Sequence, residues 1–145
     1  MKKKKKRKKK SLLKALKGRL ETLWKLACKT RDGFKCAMKE VFPHECSQVL
    51  QVDHCWSRMN SEIFFDIRNG TTLCSSMHTM KTYCCKGAEK VVDDFVRKRE
   101  GDEWWENAKA ICMKKGPYVW DVITLEQKII EMKEKIAEFL EKKDQ

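Results

Sequence analysis

Asp53 and His54 stand side by side at the end of a short apolar run, Gln48-Val-Leu-Gln-Val-Asp-His54. Asn69 follows His54 by fifteen residues, and His78 follows Asn69 by nine. A carboxylate and an imidazole are ligands that a divalent cation accepts. A second imidazole titrates near neutrality, where it can take up a proton and release it again. Each residue also has an ordinary explanation: Asp53 can cap a turn, Asn69 before Gly70 is a turn former, and a lone helical histidine is commonly a surface or satisfied core residue. Three such explanations would have to coincide at this spacing.

The ordered set is Val52-Asp53-His54, then Asn69-Gly-Thr-Thr-Leu73-Cys74, then His78-Thr-Met-Lys81-Thr82. It resembles the motif of the HNH endonucleases of the ββα-metal fold. Within that group, His54-Cys-Trp-Ser57-Arg58 followed by Phe65-Asp66-Ile-Arg-Asn69 and Cys74 is most similar to the phage NinG (Rap) recombination nucleases. The resemblance implies an α+β chain with a small ββα-metal core that hydrolyses DNA phosphodiester bonds, as a phage recombination or DNA-processing nuclease in the host cytoplasm. It assigns His54 as the general base, Asp53 and His78 as ligands of the ion, and Asn69 as the residue that orients the loop carrying the base. The mixed ligand set suits magnesium or manganese and also admits nickel or zinc. A divalent ion at the scissile phosphate would neutralise charge and stabilise the departing oxygen. The alternative is a noncatalytic nucleic-acid-binding module on a degenerate scaffold of the same kind.

Many HNH proteins also carry a structural zinc held by two Cys-x-x-Cys knuckles. Here the corresponding stretches are Cys36-Ala-Met-Lys39 and Cys74-Ser-Ser-Met77, each with its first cysteine and without its second. A site that has lost one ligand from each half is either abandoned or rebuilt as a whole. Rebuilding would draw on Cys46, His44 or Cys28. Abandonment would leave Cys36 and Cys74 as small buried hydrophobes, with Met77 filling core volume. Cys84-Cys85, Cys55 and Cys112 have no evident catalytic partner.

Arg58, Arg68 and Lys81 lie close to the motif and are candidates for phosphate contacts, or solvated charges. Trp56 and Phe64 are candidates for stacking on bases, or core aromatics.

The elements that must position these residues follow from periodicity and punctuation. Leu12, Leu16, Leu20, Leu23, Trp24 and Ala27 recur at helical spacing, which predicts an amphipathic helix over 11–30 with Ser11 as its N-cap. Turns or short extended pieces follow from Phe34 to Glu45, and a strand over 48–54. Residues 55–68 read as a loop whose Ile63, Phe64, Phe65 and Ile67 can fold back on the core. Asn69-Gly70 marks a turn, and a helix is expected from Leu73 to about Lys86. Three more helices are expected at 88–99, 103–115 and 124–143. The last carries a stripe of Val122, Leu125, Ile129, Met132, Ile136 and Phe139, long enough for packing within the chain or for a helix-mediated dimer. Along a strand, adjacent side chains leave by opposite faces, so the strand must end or bend if Asp53 and His54 are to serve one site.

The chain has 145 residues and a formal charge of +12, of which Lys2 to Lys10 supply nine, leaving +3 (24 basic less 21 acidic) for the remainder. That run cannot bury apolar surface, which predicts a disordered tail at 1–10 available to polyanions, nucleic acid first. The bland reading of the run is a solubilising tail or a targeting address. The remaining organisation is a core at 31–86 and a helical extension at 87–145. Neither a secretory signal nor a membrane span is visible. With eight cysteines in such a chain, an intracellular, reducing setting with thiols or metal ligands is expected before disulfides.

Overall fold

A computed structural model describes residues 2–57, 61–84, 86–114 and 116–145, leaving Arg58 and Cys85 outside the described residues. The fold is mixed and mostly helical: α1 (Lys2–Arg31), β1 (Leu50–His54), β2 (Gly70–Cys74), α2 (Ser75–Thr79), α3 (Lys86–Glu100), α4 (Asp102–Met113) and α5 (Val122–Lys143). A 3-10 turn (Ile67–Asn69) leads into β2, and α2 runs on into a π-helical turn (Met80–Cys84). Among the described residues no helix is long and apolar enough to cross a membrane.

β1 and β2 form a two-stranded antiparallel sheet in which Asp53 faces Thr71 and His54 faces Gly70. The sequence reading put Leu73 and Cys74 in a helix; they are instead the end of β2. Thr71 and Thr72 are β-branched residues suited to a strand, and all five residues of β2 are buried, so the segment shows no alternation of polar and apolar positions. The helix starts only at Ser75, where the Cys74 sulfur accepts the Met77 N–H at 3.4 Å. Strand, strand and helix thus follow one another as a ββα unit.

Three apolar clusters support this unit. The first joins Leu20, Trp24, Ala27 and Cys28 of α1 to Leu125, Ile129 and Met132 of α5, with Phe65 and Trp120 between them. The α5 stripe is therefore spent inside the chain. The helices run parallel: Lys9 lies near Asp121 at the start of α5, and Lys143 at its end sits over the Phe34 ring at 5.3 Å. The second cluster gathers Cys36, Met38, Leu73, Cys74, Met77, Ala88 and Val92. The third packs Ile63 and Val96 on Trp104 and Ala108. Ile63 and Phe65 fold back as expected, with Phe64 and Ile67 packed alongside.

The polybasic run, expected to be disordered, continues α1 to Lys2. The packed turns around Leu20 and Trp24 supply the nucleus, after which each added residue needs only one more hydrogen bond, and Lys and Arg are good helix formers. Its first turn carries no acidic residue, so the helix dipole opposes this charge and propagation alone holds it. Lys6 to Lys10 are all exposed.

The junction between α1 and the hairpin is polar. Arg31 donates to the carbonyls of Ile67 and Gly70, both at 2.7 Å, and Asp32 accepts the Thr72 N–H at 2.9 Å. Gly70 is needed here for space, since its φ of −102° is open to any residue. A Cβ would crowd the Cys28 sulfur and lie 2.7 Å from Trp24 Cζ2.

Candidate metal centres

Cys36, His44, Cys46 and Cys74 converge, with all four ligand atoms within 4.8 Å of one another. His44 Nε2 lies 3.6 Å from the Cys36 sulfur, 3.1 Å from Cys46 and 3.4 Å from Cys74. Tetrahedral ligation with bonds of about 2.0 Å to nitrogen and 2.3 Å to sulfur requires N–S separations of about 3.5 Å. The observed spacing fits a metal ion. His44 Nδ1 is 2.6 Å from the Phe42 carbonyl, which fixes the proton on Nδ1 and turns the Nε2 lone pair toward the sulfurs.

Burial would push the Cys74 thiol up, but N–H groups of Met77 and Ser47, with His44 and Cys36, outweigh it and bring the group down to about 6. Cys46 is pushed up to about 11 by desolvation and by the neighbouring Cys36 and Cys74. This split is what clustered sulfurs do without a cation between them: one ionises and discourages the others. Of the ligands considered for a rebuilt site, Cys28 is not part of it. Its buried thiol points at the Ile67 carbonyl, 3.8 Å away, and is pushed up to about 12 by burial. Met77 is a fully buried core residue, as its volume predicts. The gathering of His44 and Cys46 depends on the turns at 37–46, and the spacing Cys36-x7-His44-x-Cys46 matches no knuckle. The available signal was three ligand residues within eleven positions.

The second centre lies where β1 meets α2. Asp53 Oδ1 is 3.2 Å from His78 Nδ1. That nitrogen is buried and makes no hydrogen bond, so the pair is a close approach and not a hydrogen bond. The other Asp53 oxygen accepts a short hydrogen bond from Lys81 Nζ, which also lies 3.5 Å from the His54 carbonyl. The π-helical turn that begins at Met80 carries Lys81 to Asp53 beside His78. Such turns recur at functional sites because they re-aim side chains.

His54 is not brought to this pair. β1 stays paired with β2 through Asp53 and ends at His54, so the two side chains still leave by opposite faces, and the His54 ring packs on the α1 side against Trp24. It is stacked between Trp24 (centroids 4.1 Å apart, planes at 15°) and Phe64 (4.0 Å, 18°). Burial lowers its pKa to about 4 against the effect of a hydrogen bond to the Phe64 backbone. Nε2 is buried without a partner, which leaves Nδ1 to make that bond and Nε2 with a free lone pair.

Asn69 pins the loop between the strands. Its Oδ1 accepts the Trp56 N–H at 2.7 Å, and its Nδ2 donates to the carbonyls of Trp56 (3.0 Å) and Ile63 (3.2 Å). Each such bond contributes about 1 kcal/mol, and losing the side chain would strand three buried groups. Both ends of the loop that carries Phe64 onto His54 are thereby fixed.

Of the candidate phosphate contacts, Arg68 is half exposed, paired with Asp66 at 2.7 Å and set over the Trp104 ring at 5.7 Å; Lys81 is held at Asp53. Trp56 tilts against Trp105, 5.0 Å away, and Phe64 covers His54, so both aromatics are packed. A groove of about 660 Å³ lies between α5 and residues 65–68, lined by Arg31, Arg68, Lys128 and several glutamates. It contains no residue of either centre.

Compared with known protein families, with characterised proteins and with solved structures, the chain matches none.

Proposed function

We propose that this chain is a metal-dependent endonuclease of the HNH type that hydrolyses DNA phosphodiester bonds. The observation that carries the reading is the meeting of Asp53 and His78 at 3.2 Å, with the histidine nitrogen buried and unbonded. Asp53 and His78 would hold a divalent ion of the magnesium or manganese class, which when bound polarises the scissile phosphate. His54 is kept neutral by its surroundings, with Nε2 free to accept a proton from water. Asn69 holds the loop that orients that ring. A second ion, zinc by the chemistry of a Cys3His donor set, would tie the 36–46 turns to the end of β2 and so hold the strand and helix that carry the first. The exposed charges of α1 suit phosphate contacts along a DNA backbone.

One observation favours the noncatalytic reading. His54 is clamped between two rings on the face opposite Asp53, and an attacking water reaches it only if the Phe64 segment yields. A cleavage assay on plasmid and branched DNA with magnesium, manganese or chelator separates the two. Metal-dependent cutting that falls at least about a hundredfold in Asp53→Ala and His54→Ala supports the nuclease. Unchanged cutting by His54→Ala removes the proposed base, and DNA binding without cutting by any form establishes the noncatalytic module.

A further inference from the structure

Lys81 occupies the place next to the proposed metal pair that an incoming cation would contest. Its ammonium lies on Asp53, and the two side chains are about equally buried (11% and 13% exposed). A divalent ion drawing on Asp53 and His78 would share that carboxylate with a fixed positive charge a few ångströms away, which lowers affinity for the ion. Lysine has a long, freely rotating stem, so the charge can leave if a second acceptor is within reach.

Asp93 of α3 is that acceptor. Lys81 Nζ is 3.5 Å from the carbonyl of His54, and the next residue, Cys55, directs its thiol to Asp93 Oδ1 at 3.4 Å. Asp93 thus lies near enough to the Lys81 ammonium for the two charges to interact. A thiol is a weak donor for a carboxylate. Burial raises the Asp93 carboxyl, opposed by the Cys55 thiol and by the Lys81 charge.

We infer that Lys81 is an internal counter-ion that cedes Asp53 to an incoming divalent cation, and that Asp93 is the positioning residue that receives it. The inference rests on Asp53 and His78 being a metal pair. It makes Lys81 a device that neutralises Asp53 while no ion is bound and then stands beside the site, its charge facing the phosphate.

Manganese binding, followed by electron paramagnetic resonance of the free ion on the full zinc-replete chain, tests this apart from activity. Lys81→Met is expected to bind about tenfold tighter than wild type, because the competing charge is gone. Asp93→Asn is expected to bind about threefold weaker, because Lys81 then has no alternative to Asp53. In the Lys81→Met background, Asp93→Asn is expected to change nothing. Lys81→Gln serves if circular dichroism shows Lys81→Met misfolded. Unchanged or weaker binding by the Lys81 variants overturns the inference, and so does an Asp93→Asn effect that persists without Lys81. If wild type and Asp53→Ala bind manganese alike, the metal pair itself fails and the inference falls with it.

Discussion

His54 is where residue chemistry and packing meet most sharply. An imidazole between two aromatic faces loses hydration, and the nearby Asp53 and Glu21 carboxylates do not offset that loss, so its cationic form is disfavoured. In the unfolded chain it takes a proton near pH 6.5; in the fold it resists until about 4. Between these values the unfolded state binds more protons, so the contribution is complete above about pH 6.5 and is lost as the pH falls toward 4. His54→Phe keeps a stacked ring and removes the titration. Thermal melts of the two proteins at equal zinc loading should show wild type losing about 2 kcal/mol more than the variant over that interval, with solvent access to the ring discounted. Parallel losses would show that His54 does not titrate as its surroundings require. At this scale the sequence singles out Asp53, His78 and Asn69 by type and order, and the structure sets Asp53 against His78 and Asn69 in the loop. The Trp24 contact on His54 was not, since the two residues are thirty positions apart and only tertiary packing stacks them.

At the scale of elements, the Cys3His centre links a turn segment with no regular structure of its own to the end of β2. The 36–46 stretch is held otherwise by a few contacts, among them Met38 and Cys36 in the second cluster and the Ala37 N–H bonded to the Thr72 carbonyl at 2.9 Å. Metal is expected to contribute much of its order, since ligands brought together by a fold are stabilised by what they bind. Purified protein should carry one zinc per chain, and His44→Ala should lose it and melt several degrees lower, with Asp53→Ala retaining it. Zinc kept by His44→Ala and lost from Asp53→Ala would place the ion at Asp53 instead. Periodicity found α1, α3, α4 and α5 because each has an amphipathic stripe. It missed β2 because a strand buried on both faces has no alternation to read. It also missed the start of α2 by two residues, because the cap is a cysteine and not one of the usual capping residues.

Across the whole molecule, α1 and α5 run side by side, and α1 continues about 10 Å past the start of its partner as a cationic helix. Deleting residues 2–10 removes nine positive charges, those of Lys6 to Lys10 exposed to solvent. DNA binding should weaken strongly at low salt, and the slope of log affinity against log salt should flatten by several units, with the melting temperature unchanged. An unchanged slope would place the phosphate contacts elsewhere on the fold. The sequence by itself determined the mixed class, the main helices and which side chains are of a metal-ligating type, because residue type and local period carry that information. Tertiary structure decided which of those side chains meet. It brought His44 and Cys46 to Cys36 and Cys74, and it set His78 against Asp53 while sending His54 to the other face of the same strand. The physical reason is that strand alternation and the packing of α1 on the hairpin act between residues far apart in the chain, where spacing along the sequence says nothing about distance.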